Sequence, residues 1–144
     1  MAEFTEQVAS PWPAEQTFDF MADVRNFQQW DPGVKHAVQV EGTVPALGAA
    51  YDVTVGGIGG DMVLRYRIVE FDRPRRVAIE ALTPSLRSYD AIDVVAQGDR
   101  SVVDYHARIS MRGLLRITEP VMGIVLGRIG RRAADGLRRR LQSV

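Results

Sequence analysis

A succession of short alternating segments, punctuated by Gly, Pro and Asp, ends in a single long helical pattern from Pro120 to Leu141. This order constrains the fold more than any other feature, because an amphipathic helix that closes an antiparallel sheet makes a cup with a lid. Met122, Leu126, Ile129, Ala133 and Leu137 recur at helical spacing, while Gly123, Gly127, Gly130 and Ala134 leave little side-chain bulk on a neighbouring face. Such a helix cannot fill a deep core. Two readings stay open: the helix roofs a cavity, or its glycines let the backbone sit close to the sheet.

Upstream, Phe4, Glu6 and Val8 alternate with Thr5, Gln7 and Ala9, which predicts a first strand broken by Ser10-Pro11-Trp12-Pro13. Phe18, Met21 and Ala22 then share a helical face, and Val24 to Trp30 predicts a second short helix ending before Asp31-Pro32-Gly33. Further strands are expected at Val34 to Val40, Ala50 to Val55, Met62 to Phe71, Arg76 to Ala81, Ser88 to Ala96 and Val102 to Met111. Side-chain parity sets the faces of two of them. Arg65 and Arg67 oppose Met62, Leu64, Tyr66 and Ile68; Asp104, His106, Arg108 and Arg112 oppose Val103, Tyr105, Ala107, Ile109 and Met111. One wet and one covered face mark an antiparallel sheet. The expected fold class is α+β: a curved antiparallel sheet of about seven strands wrapped around the C-terminal helix, two short helices after strand 1, and one domain over residues 1–144.

With 144 residues and 46% hydrophobic side chains the chain can bury a core without staples. Absence of cysteine excludes disulfides, thiolate metal sites and a cysteine nucleophile. Eighteen basic and eighteen acidic residues balance, which removes the electrostatic case for nucleic acid as a partner. The opening MAEFTEQV is polar and no apolar run reaches the roughly 18 to 20 residues of a membrane span, so a cytoplasmic protein without stable membrane insertion is expected.

Several residue types invite chemistry. Gly56-Gly57-Ile58-Gly59-Gly60 lacks the following helix and the Lys-Ser/Thr of a phosphate loop, and reads as a hairpin between the third and fourth strands. His36 and His106 have no second ligand at metal-binding spacing, so neither metal nor cofactor is expected. The serines lack a nucleophile-elbow context. Tyr51, Tyr66 and Tyr105 fall on the inward parity, where phenols either meet a ligand or pair within an ordinary core. Asp90 faces inward if Ile92 and Val94 do, and a carboxylate there would have a raised pKa; apolar Ala91 and Val95 leave that register open. Glu6 shares the parity of Phe4 and Val8. Arg128, Arg131, Arg132, Arg138, Arg139 and Arg140 make the last helix basic, read as a solvated face with favourable charge at its C-terminus. An anionic membrane surface is the alternative. Trp30 either lines the pocket or staples the short helices to the sheet.

The order β-α-α-β-β-β-β-β-β-α resembles the helix-grip fold of the START-like (SRPBCC) superfamily, which includes polyketide cyclase/dehydrase-like and lipid-binding proteins. Its local carriers are Val8-Ala9-Ser10-Pro11, the segment Asp23 to Asp31-Pro32 with Trp30, Gly48, and Val69-Glu70-Phe71-Asp72-Arg73-Pro74. The resemblance covers essentially the whole chain and includes no catalytic signature. It implies a hydrophobic or aromatic small molecule, lipid- or polyketide-like, held between sheet and helix, with the glycine-rich hairpin as a gate beside the mouth. The implied lining is Trp30, Tyr51, Val53, Leu64, Tyr66, Asp90, Ile92, Tyr105, Ile109, Met122, Leu126 and Ile129. One alternative is a cyclase or dehydratase using Asp90 or Tyr105 as acid or base; another is a protein-interaction or growth-modulating module without ligand.

Overall fold

A computed structural model describes residues 1–57 and 60–143. Strand β1 (Ala2–Ser10) leads into helix α1 (Ala14–Ala22), a 3-10 turn (Val24–Asn26) and the short helix α2 (Phe27–Trp30). Strands β2 (Val34–Glu41), β3 (Ala50–Gly57), β4 (Gly60–Asp72), β5 (Arg76–Leu82), β6 (Leu86–Gln97) and β7 (Arg100–Met111) follow. A second 3-10 segment (Gly113–Thr118) then joins helix α3 (Glu119–Gln142). The seven strands form one antiparallel sheet in the order β1-β7-β6-β5-β4-β3-β2. This is the helix-grip architecture expected from the sequence. The expected second helix at Val24 to Trp30 is a 3-10 turn followed by one helical turn, and the 3-10 lead-in to α3 was not anticipated.

Local chemistry explains the turns. Pro13 precedes the first helical residue of α1, where the chain has left the strand and needs no ladder hydrogen bond. Beneath this corner Thr17 Oγ1 bonds the Ser10 hydroxyl at 2.7 Å and accepts from Ser101 Oγ at 2.8 Å, so these buried hydroxyls satisfy one another. Asp23 caps the 3-10 turn through the Arg25 backbone N–H.

The assumed sheet parity holds. Leu64, Tyr66 and Ile68 are buried on the concave face, while Arg65 and Arg67 lie outside, paired with Asp52 and Glu41. The concave face is covered in two ways. Helix α1 packs over β6 and β7, bringing Phe18 and Met21 into full burial with Ile68, Val77, Ile79 and Ile92. Helix α3 packs mainly against β1, with smaller contacts to α2 and β7.

The close-packing reading holds at Gly130, which also lines the cavity, while Gly123 and Gly127 do not line it. A methyl group on Gly130 would overlap the Phe4 ring, whereas one on Gly123 would meet nothing within 4 Å and one on Gly127 only the end of Arg131, at 3.4 Å. The tightest approach is at Gly136, which the sequence reading passed over: a side chain there would overlap the backbone carbonyl of Trp30.

Candidate functional site

Between the sheet and helix α3, along Val121 to Leu137, lies a cavity of about 530 Å³. Its volume falls in the range of roughly 300 to 1,000 Å³ usual for small-molecule pockets. The stripe predicted on the helix, Met122, Leu126, Ile129, Ala133 and Leu137, lines it from one side. Trp30, Val53, Leu64, Tyr66, Asp90, Tyr105 and Ile109 line it from the others.

Tyr51 and Ile92 are corrections. Both face inward and both are fully buried, but among the described residues they belong to the filled core and do not line the cavity. Parity distinguishes inside from outside and says nothing about whether the inside is full. Two phenols therefore converge on the cavity, not three. The glycine-rich hairpin reaches it through Gly56 and Gly57; Ile58 and Gly59, at the expected gate, lie outside the described residues.

The strand pairing assembles the polar groups. Asp90 on β6 pairs with Ala107 on β7, so it sits diagonally across from Tyr105 on the same face. The Tyr105 hydroxyl donates to Asp90 Oδ2 at 2.6 Å. Burial pushes the Asp90 pKa up to about 7; the Tyr105 hydrogen bond pulls it down, and the nearby Asp31 charge adds a smaller upward push. Tyr105 itself is held well above the usual phenol range by burial and then by the Asp90 charge. Strand β5 lies between β4 and β6, and its small Ala81 faces Ser88. Over that alanine the Tyr66 hydroxyl reaches Ser88 Oγ at 2.7 Å. Trp30 packs edge-on against Tyr105 with ring centroids 5.9 Å apart, so it lines the pocket and joins α2 to the sheet at once. Its indole Nε1 and the Tyr51 hydroxyl are buried without a partner among the described residues.

Sequence reasoning missed two polar lining residues. Asp31 looked like a turn residue, and its Oδ1 does accept the Gly33 backbone N–H at 2.9 Å. It also lines the cavity, and burial raises its pKa against the effect of that hydrogen bond. Ser88 could have been found by stepping two residues back from Asp90 along the strand. Glu6 lines the cavity as its parity suggested, with Arg138 Nη2 donating to its Oε1 at 3.0 Å. Arg138 and Arg140 are thus more than a solvated face: Arg140 donates to Gln29 and lies over the Phe20 ring at 5.0 Å. His36 is exposed on β2 and His106 points to the convex face, so neither lines the cavity.

Beside the mouth the apolar surface continues outward. Leu114 and Ile117 are 93% and 86% exposed, with Val121 and Ile124 exposed on the first turns of α3. No helix among the described residues is long and apolar enough to cross a membrane.

A family model described as "Polyketide cyclase / dehydrase and lipid transport" matches residues 1–142. The chain belongs to this family. No curated protein sequence matches it. Among solved structures it is similar to a START superfamily protein from Mycobacterium smegmatis, with a TM-score of 0.79 and 14% identity over 99% of this chain and 98% of that one. It is also similar to the ZhuI aromatase/cyclase from Streptomyces sp. R1128, with a TM-score of 0.75 and 14% identity over 96% of this chain and 90% of that one. At such identities the likeness establishes the fold and carries no residue roles.

Proposed function

We propose that this protein binds a hydrophobic small molecule in the cavity between the sheet and α3. The observation that carries this reading is the cavity itself: about 530 Å³ walled chiefly by aliphatic and aromatic side chains, with a few polar groups on one side. Membership of a family that includes lipid transport supports it. Binding would draw on the apolar area removed from water, and the polar groups would fix orientation.

One observation favours a second reading, acid/base catalysis of the cyclase or dehydratase kind. Asp90 titrates near neutrality and is hydrogen-bonded to Tyr105, which is the poise a proton-transfer group needs. A single set of variants separates the two. Titration with the neutral dye Nile red should give saturable fluorescence enhancement, which Leu126→Trp reduces by about tenfold or more in affinity by filling the cavity. Asp90→Asn should change dye affinity by less than about threefold. Dye binding unaffected by Leu126→Trp would sink the binding reading. Turnover of a polyketide-like substrate that vanishes in Asp90→Asn while affinity is unchanged would establish the catalytic one.

A further inference from the structure

We infer that the cavity selects its ligand by charge, taking hydrophobic amines in preference to alcohols and rejecting hydrophobic carboxylic acids. This rests on the binding reading above. Among the described residues the lining contains three carboxyl groups, Glu6, Asp31 and Asp90, and no Lys, Arg or His. Glu6 is neutralised from behind by Arg138. Among the described residues Asp31 and Asp90 have no cationic partner: one accepts a backbone N–H, the other a phenol O–H, and neither takes part in an ion pair. The phenols cannot take over the role of a cation, since Tyr105 already donates to Asp90 and Tyr66 shares its hydroxyl with Ser88.

A ligand carboxylate would bring a further negative charge into an apolar space that offers it no counter-ion, at the full cost of burying an unpaired anion beside others. An ammonium group meets the reverse situation. It places a positive charge against two carboxyls that lack one and supplies the donors their free oxygens can accept. A neutral alcohol lies between, able to donate one hydrogen bond without charge compensation. The elevated pKa values of Asp31 and Asp90 agree with this picture, because each carboxyl is buried without a cation to hold it ionised.

The experiment is calorimetric titration of the full chain with dodecylamine, dodecanol and dodecanoate at mildly alkaline pH, below the aggregation threshold of each. These probes share one apolar tail and differ only in the head. Dodecylamine should bind about tenfold or more tighter than dodecanoate, with dodecanol between them. In Asp31→Asn/Asp90→Asn the three affinities should converge to within about threefold. Asp90→Asn alone should narrow the spread, and serves if the double variant does not fold. Dodecanoate binding as tightly as dodecylamine would overturn charge selection and leave the binding reading intact. Persistence of the full spread in the Asn variants would overturn its assignment to these two carboxyls. If none of the three binds while Nile red does, the ligand class is wrong; if Nile red also fails, the binding reading falls.

Discussion

From Gly130 to Leu141 helix α3 approaches its neighbours closely while still lining the cavity through Ala133, Ala134 and Leu137, whereas from Val121 to Ile129 it borders the cavity with no such close approach. The first half places Gly130 on the Phe4 ring and Gly136 on the Trp30 carbonyl, and buries Leu137 and Leu141 almost completely. The second half carries Gly123 and Gly127 facing no packed neighbour and leaves Val121 and Ile124 exposed. The same residue type therefore does different things thirteen residues apart or less. Where glycine permits contact, the helix is anchored; where it faces open space, it serves only to keep the helix thin. One element thereby acts as both a wall of the core and a lid of the cavity.

The sharpest way to break this comparison is Gly136→Ala. The added methyl would overlap the Trp30 backbone carbonyl, which cannot swing aside as a side chain end can. A loss of about 3 kcal/mol or more is expected in urea denaturation. A near-neutral result would mean that the anchored half is not anchored there.

The next test reads the space beneath the lid. Burial pushes the Asp90 pKa in the folded protein up to about 7 from its ordinary value of 3.8. The folded protein therefore keeps a proton that the unfolded chain releases near pH 4. Stability from this group is fully present below that pH and is lost as pH rises through about 7. Asp90→Asn removes the loss, so the variant should gain about 4 kcal/mol relative to the parent on going from about pH 4 to about pH 8. A difference independent of pH would show that Asp90 is well hydrated.

The smallest effect is expected at Gly123, where alanine meets nothing within 4 Å. Gly123→Ala should stabilise the protein by about 1 kcal/mol through helix propensity alone. Destabilisation of the same size as at Gly136 would erase the distinction between the two halves.

Much of this was legible in the chain. Charged or polar and apolar residues alternate from Leu64 to Ile68 and from Val103 to Ile109, so parity placed Leu64, Tyr66, Tyr105 and Ile109 toward the helix and the arginines toward water. On β6 the pattern blurs, because Ala91 is buried although Asp90, its neighbour, faces the cavity. What parity could not give was depth. Tyr51 and Ile92 are as inward as Tyr66, yet α1 and its following turn fill the space above the core they belong to. Asp31 and Gly136 escaped for a related reason. Each acts through a partner supplied by a distant part of the chain, the cavity wall in one case and the Trp30 carbonyl in the other. No local spacing encodes such a meeting.

The exposed leucine and isoleucine ahead of α3 bear on rates as much as on equilibrium. Leu114 and Ile117 are already in water when the lid is closed, so detaching the segment Gly113–Thr118 uncovers little new apolar surface. The anchored half must break its contacts with β1 and Trp30 before it moves. Opening at the helix N-terminus would break the Glu119 contacts with Met1 and Met111 but leave the sheet folded, so on the binding reading a ligand would exchange there by local fraying. On the binding reading, ligand residence time and overall stability would be governed by separate ends of one helix, so that each could change without the other.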